Sequence, residues 1–229
     1  FAGVNCGIMD QLAIAGCERG RAMMIDCRSL DIDFVAIPPD ARLLVIDSGV
    51  RHQLPQSGYN ERAAECRQAV SILARDDSSV RALRDATPDQ VDARRADLGD
   101  LLHRRARHVV TENRRVLAAR DALERGDLMK LGMLIGQSHV SQRDDFEITC
   151  DPVNQLVAIA DRCEGALGSR QVGGGFGGCV VCLTTDEFVD SVSQHISTEY
   201  GALSGSKPWM HVVSDADPAG AARSPRTED

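Results

Sequence analysis

One aspartate, Asp10, stands inside the apolar run VNCGIMDQLAIAG. Carboxylates are among the side chains least often buried. At a helix start Asp10 could cap free N–H groups and meet the positive end of the helix dipole; as a chemical group it could accept a proton. Further along, Gly173, Gly174, Gly175, Gly177 and Gly178 crowd into GGGFGG. Gly173, Gly175 and Gly178 have the spacing of a dinucleotide fingerprint, but that fingerprint must follow a strand and open a helix. Here CVVCLTT follows Gly178 and reads as a strand. Two readings of the glycines stand: a tight strand–strand turn, or a loop whose backbone lies beside a phosphate and turns N–H groups toward it.

The other chemistry-bearing residues form weaker patterns. Cys179 and Cys182 match C-x-x-C, but positions three apart on a strand face opposite sides, which speaks against a redox pair or a zinc site. The eight cysteines show no disulfide framework spacing and read as reduced thiols. No phosphate loop ending Gly-Lys-Ser/Thr occurs, nor H-E-x-x-H, nor an EF-hand loop. The six histidines are dispersed, and His103 and His108 are too far apart in sequence to share a helix face well. His52 follows a strand and His139 opens what reads as a polar loop; each histidine alone reads as a surface or structural residue.

The elements that must position these residues follow from periodicity. Residues 5–16 are apolar enough for a buried helix or a helix start. RAMMIDCRSL, DFVAIP and ARLLVIDSGV read as two or three antiparallel strands. Tyr59, Ala63, Cys66, Val70 and Leu73 mark one helix face, with Ser57 its candidate N-cap. Residues 75–99 hold short helices at most, one starting at Thr87-Pro88-Asp89. Apolar positions 102, 106, 109, 110, 116, 117 and 123 give a long amphipathic helix, which Gly126-Asp127 separates from a second helix running to about Ser138. Residues 139–150 read as a polar loop, and Pro152 opens another helix. Strands and one more helix complete an α+β sandwich, a mostly antiparallel sheet with helices on one face. The tail 215–229 reads as disordered.

The 229 residues carry a net charge of −8, which argues against nucleic acid as the main partner. Lysine occurs only at Lys130 and Lys207, so the basic side is almost wholly arginine. No stretch is long and apolar enough for a membrane span and no signal peptide opens the chain; a cytoplasmic protein is expected.

Taken in order, these pieces resemble the galactokinases of the GHMP kinase superfamily. FAGVNCGIMDQ is similar to the segment that carries that family's catalytic aspartate, and IDCRSL follows where the family has it. DSGVRHQLPQSGYNERAAEC is similar to its strand and sugar-side helix. RRARHVVTEN and SHVSQRDDFEITC resemble its helical region, GSRQVGGGFGGC its third motif, and DADPAGA its ending. The chain departs at Gln171-Val172, where Met-Thr is common, and at Asn154, where an Asp is usual.

The resemblance implies the GHMP kinase fold, mostly its C-terminal domain. Residues 1–50 would be a remnant of the N-terminal domain with linking strands, and 51–214 the C-terminal domain. It implies phosphoryl transfer from ATP to the C1 hydroxyl of galactose, with Asp10 as proton acceptor. Gly7 and Tyr59 would hold the sugar, Arg51 would stand near it, and Gly173 to Gly178 would lie beside the nucleotide phosphates. An N-acetylgalactosamine or arabinose kinase, or a non-catalytic sugar sensor, are the alternatives. The family's G-E-H-T-D-Y-type sugar motif, its Pro-x-Gly-x-Gly-Leu-Ser-Ser-Ser loop and its magnesium-binding acid have no match here. The expectation is a monomeric sugar kinase truncated at its N-terminal side, with the Mg2+ ligands upstream and the chain alone inactive.

Overall fold

A computed structural model describes residues 7–51 and 55–213; the tail expected at 215–229 and His52 lie outside the described residues. Helix α1 (Met9–Gly16) leads into a two-stranded antiparallel ribbon, β1 (Arg21–Ile25) and β2 (Ile32–Ala36), paired from Arg21 with Ala36 to Ile25 with Ile32. The third expected strand, β3 (Ala41–Asp47), leaves this ribbon for a four-stranded sheet of order β4-β5-β3-β6. That sheet, built with β4 (Gly168–Gln171), β5 (Cys179–Thr185) and β6 (Met210–Val213), is antiparallel throughout. β3 therefore shares its sheet with the later strands.

Alternation along β3 explains the layers. Leu44 and Ile46 face α6 (Asp151–Ala160) and α7 (Val189–Ser204), where they are buried with Val153, Leu156, Val180, Val192 and Ile196. Each such side chain contributes roughly 1.5–3 kcal/mol. Leu43 and Leu183, paired across β3 and β5, point the other way toward Leu128, Leu131 and Ile135 of α5 (Leu128–Ser141). Helices thus lie on both faces of the sheet, not one. The second face is covered because α5 carries glycine where backbones meet: a Cβ on Gly132 would collide with the Leu167 carbonyl, and one on Gly168 with the Gly132 carbonyl.

A second core joins α2 (Pro55–Leu73), α3 (Pro88–Ala93) and α4 (Arg95–Glu124) through Ala69, Leu73, Val91, Leu98, Leu102, Ala106 and Val110. Thr87 caps α3 as its spacing predicts, accepting the Gln90 N–H while the Gln90 side chain accepts the Thr87 N–H. Gly99, at φ +64, interrupts α4, so its regular part begins near the expected Leu101. Three expectations are corrected. Helix α2 begins at Pro55, ahead of Ser57, which is therefore inside the helix rather than its cap. Helix α1 buries none of its residues. Residues 139–146 are helical, α5 running to Ser141 and a π-helical turn from Gln142 to Phe146.

Candidate functional site

The glycine-rich segment connects β4 to β5, so it is the strand–strand turn that its flanks predict: Gln171 pairs with Val180, and the Val172 N–H donates to the Cys179 carbonyl at 3.0 Å. It is also held from two sides. The Phe176 N–H donates to the Ile148 carbonyl at 2.5 Å, and the Gly178 N–H to the Val50 carbonyl at 3.1 Å. The Ser48 hydroxyl donates back to the Gly178 carbonyl at 2.6 Å. These approaches leave no room for side chains. A Cβ on Gly175 would lie 2.8 Å from Ile148, and Gly175 has φ +89, a conformation that glycine adopts without strain. Phe176, itself at φ +62, lays its ring against Gly58 of α2. The N–H groups of Gly173, Gly174, Gly175 and Gly177 have no hydrogen-bond partner among the described residues.

Ile148 is fixed in turn by an arginine cluster. The π-helical turn ends at Glu147, which sits in the left-handed region at φ +53. Arg105 of α4, only 2% exposed in its side chain, donates to Glu65 and Glu147 at 2.7 Å each and to the Asp145 carbonyl at 2.6 Å. Arg62 of α2 donates to the Phe146 carbonyl at 2.7 Å and the Glu147 carbonyl at 3.1 Å. Burial alone would lower the Arg105 pKa; the Glu147 and Glu65 carboxylates outweigh it and raise it. Arg105 likewise holds the Glu147 carboxyl below its ordinary value. Paired on three sides, a buried guanidinium keeps its charge and fixes the turn.

Between this turn, α2 and the glycine-rich loop lies a cavity of about 300 Å³, lined by Tyr59, Arg62, Phe146, Ile148, Gly173, Gly174 and Phe176 among others. Two parts of the expected site, Tyr59 and the first glycines, therefore meet. The others stand apart from it. Asp10 lies exposed in the first turn of α1, just after the exposed Gly7, and neither lines this cavity. Arg51 is 83% exposed in its side chain and pairs with Asp47 at 3.1 Å, beside a different cavity lined by Asp47, Ser48 and Trp209. Sequence reasoning missed Arg62, Arg105, Glu147, Ile148 and Phe176. Arg105 had a signal: it falls three residues after Leu102 and four before Val109, inside the apolar face of α4.

Three histidines are buried rather than at the surface: His103, His108 and His139. Ser141 Oγ donates to Asp145 at 2.8 Å, so it accepts from His108 Nδ1 at 3.0 Å, and the His108 ring stacks on Phe146 at 4.4 Å. Burial holds the His108 pKa down to about 4. The C-x-x-C pair lies on opposite faces of β5, as strand alternation requires, and burial pushes the Cys182 thiol up to about 11. Among the described residues no group of three or more His, Cys, Asp or Glu is placed to hold a metal ion. No helix among them is long and apolar enough to cross a membrane.

The family described as GHMP kinases C terminal matches residues 119–202. Galactokinases of Glaesserella parasuis and Actinobacillus pleuropneumoniae are each 42% identical over 221 residues, 95% of this chain and 56% of theirs. The chain thus spans about half the length of the curated relatives it matches. A Lactococcus lactis galactokinase solved in complex with galactose superposes with a TM-score of 0.84 and 33% identity, over 92% of this chain and 54% of that one. An L. major mevalonate kinase, 19% identical, superposes at 0.51 and shares the fold alone. Residues 119–202 thus match the GHMP kinase C-terminal domain, and the chain is similar to galactokinases over nearly its whole length.

Proposed function

We propose that this chain is part of a galactokinase: the intact protein transfers the γ-phosphoryl group of ATP to the C1 hydroxyl of galactose, giving ADP and galactose 1-phosphate. The observation that carries this reading is the 42% identity with galactokinases across 95% of the chain. Phosphoryl transfer asks the protein for positioning and charge stabilisation rather than covalent chemistry. An aspartate, with a reference pKa of about 3.9, is too weak a base to ionise a sugar hydroxyl beforehand. Asp10 would orient the C1 hydroxyl and take its proton as the P–O bond forms. Gly7 and Tyr59 would hold the sugar, with Arg51 near it, and the N–H groups of Gly173, Gly174, Gly175 and Gly177 would face the phosphates. The Mg2+ that accompanies ATP would take its ligands from outside the described residues. Domain limits at 1–50 and 51–214, a monomeric intact protein and a cytoplasmic location belong to the same reading.

By itself the chain is expected to be catalytically silent, since its sequence holds no phosphate loop of the family's type. A coupled ADP-release assay with ATP and galactose checks this; turnover that needs both substrates would refute it. In the intact protein Asp10→Asn is expected to lower kcat by roughly 10²–10⁴-fold. A panel of galactose, N-acetylgalactosamine and arabinose decides the sugar, and absence of turnover with retained sugar binding would favour a sensor.

A further inference from the structure

Behind the glycine-rich loop lies a buried polar cluster that the proposed chemistry does not use. His139, 3% exposed on α5, receives the Gln171 N–H at Nδ1, at 3.4 Å. Gln171 is fully buried at the last position of β4, one residue from the loop, and its side-chain Nε2 donates to the Ile148 carbonyl at 3.2 Å. That same carbonyl receives the Phe176 N–H. One end of the loop and its lateral anchor are thus joined through Gln171, and His139 holds Gln171.

The tautomer follows from the partners. Because Nδ1 accepts, the neutral ring carries its proton on Nε2. His139 Nε2 is buried without a hydrogen bond, as are Asn154 Oδ1 and Gln171 Oε1. A proton added to the ring would go to Nδ1 and set two donors, Nδ1–H and the Gln171 N–H, against each other.

We propose that His139 is a positioning residue for the glycine-rich loop: its neutral ring, accepting the Gln171 N–H at Nδ1, holds Gln171 and through it the loop's anchor at Ile148. The functional consequence rests on reading this loop as the nucleotide-side loop; the positioning itself does not. Every element packed on the ring bears on the charge. Burial disfavours the imidazolium most, and Arg143 of the π-helical turn and Arg170 of β4 add to that. Asn154 of α6 and Asp144 of the turn favour it more weakly. On α4, Glu112 meets α5 at Ser138 but is paired with Arg115 and Arg170. The balance holds the ring's pKa down to about 4. A carboxylate at position 154 would reverse it.

The test is hydrogen–deuterium exchange by mass spectrometry on the dilute chain, reading both backbone amides and the histidine C2 proton. In the unsubstituted chain the Gln171 amide should stay protected from about pH 7.5 to 5.5, after correction for intrinsic rates. Asn154→Asp should raise the His139 titration by a unit or more and speed Gln171 and loop exchange at pH 5.5 by at least about ten-fold. At pH 7.5 that loop should stay seated. His139→Asn, whose Oδ1 can stand where Nδ1 does, should retain the protection, and His139→Leu should lose it with β3 and β5 amides unchanged. The proposal is overturned if Asn154→Asp moves the His139 titration while Gln171 protection stays put, or if His139→Leu leaves that protection intact. Should His139→Leu unfold, the Asn154→Asp arm decides alone. None of these readouts needs nucleotide, sugar or turnover, so failure here and failure of the kinase reading are separable.

Discussion

Arg105 concentrates at one residue the logic of the whole site. Its guanidinium is buried, yet it meets two carboxylates and a carbonyl in hydrogen-bonding geometry. Without it Glu65 keeps Arg62 as a partner and the part-exposed Glu147 keeps Arg104, but the Asp145 carbonyl loses its guanidinium donor. Arg105→Ala is expected to cost about 1–3 kcal/mol in a urea melt and to loosen residues 146–148, which amide exchange would report. A loss under about 1 kcal/mol would show that the cluster is no more than a surface ion pair. The local sequence RRARH marks a charged residue on an apolar face, but not its partners: Glu65 and Glu147 lie 40 and 42 residues away. No periodicity reports a pairing over that distance.

At the scale of elements, helix α5 and the turn after it form the frame on which the loop is hung. The run HVSQRDDF reads as a polar loop because its hydrophobic pattern is poor. It is helical because Ser138, His139, Ser141 and Gln142 are all buried, and most find polar partners there in place of water. His108 and His139 tie this frame to pH. Both folded pKa values lie near 4, below the 6.5 of the free side chain. The unfolded chain therefore binds more protons between those values, and stability falls as pH drops through that window. Two such groups give a slope of up to about 3 kcal/mol per pH unit, with the loss complete below about pH 4. Urea melts from pH 7 to 4 check this; a flat profile between 6.5 and 5 would contradict it. In the loop, Gly175→Ala meets both a positive φ and the Ile148 backbone, and should cost about 1–3 kcal/mol, visible as faster exchange over 172–178.

For the molecule as a whole, the outstanding feature is apolar surface gathered around the first elements. Helix α1 exposes Ile8, Met9 and Ile14, and the ribbon and α4 add Ile32, Val116 and Leu117. Val116 and Leu117 continue the apolar stripe of α4, yet each is half exposed. Contiguous apolar surface of this kind drives association. The isolated chain should self-associate at micromolar concentration, which light scattering after gel filtration would reveal; a single monomeric peak would count against it. Domain-level relations follow the same lines. The β1–β2 ribbon is a small unit by itself, while β3 lies between β5 and β6 and unites the start of the chain with its end.

By itself the sequence determined the α+β class, most helices and strands, the capping of α3, the turn nature of the glycines and the likeness to galactokinases. These are local or cumulative properties, written in hydrophobic period, turn chemistry and ordered motifs. Only the tertiary structure decided that Tyr59 and Gly173 share a cavity, that helices cover both faces of the sheet and that His139 is buried. It also brought the Gln171 N–H to the His139 imidazole. Such contacts join residues far apart in the chain, and their energy comes from burial and pairing that exist only once the elements have packed.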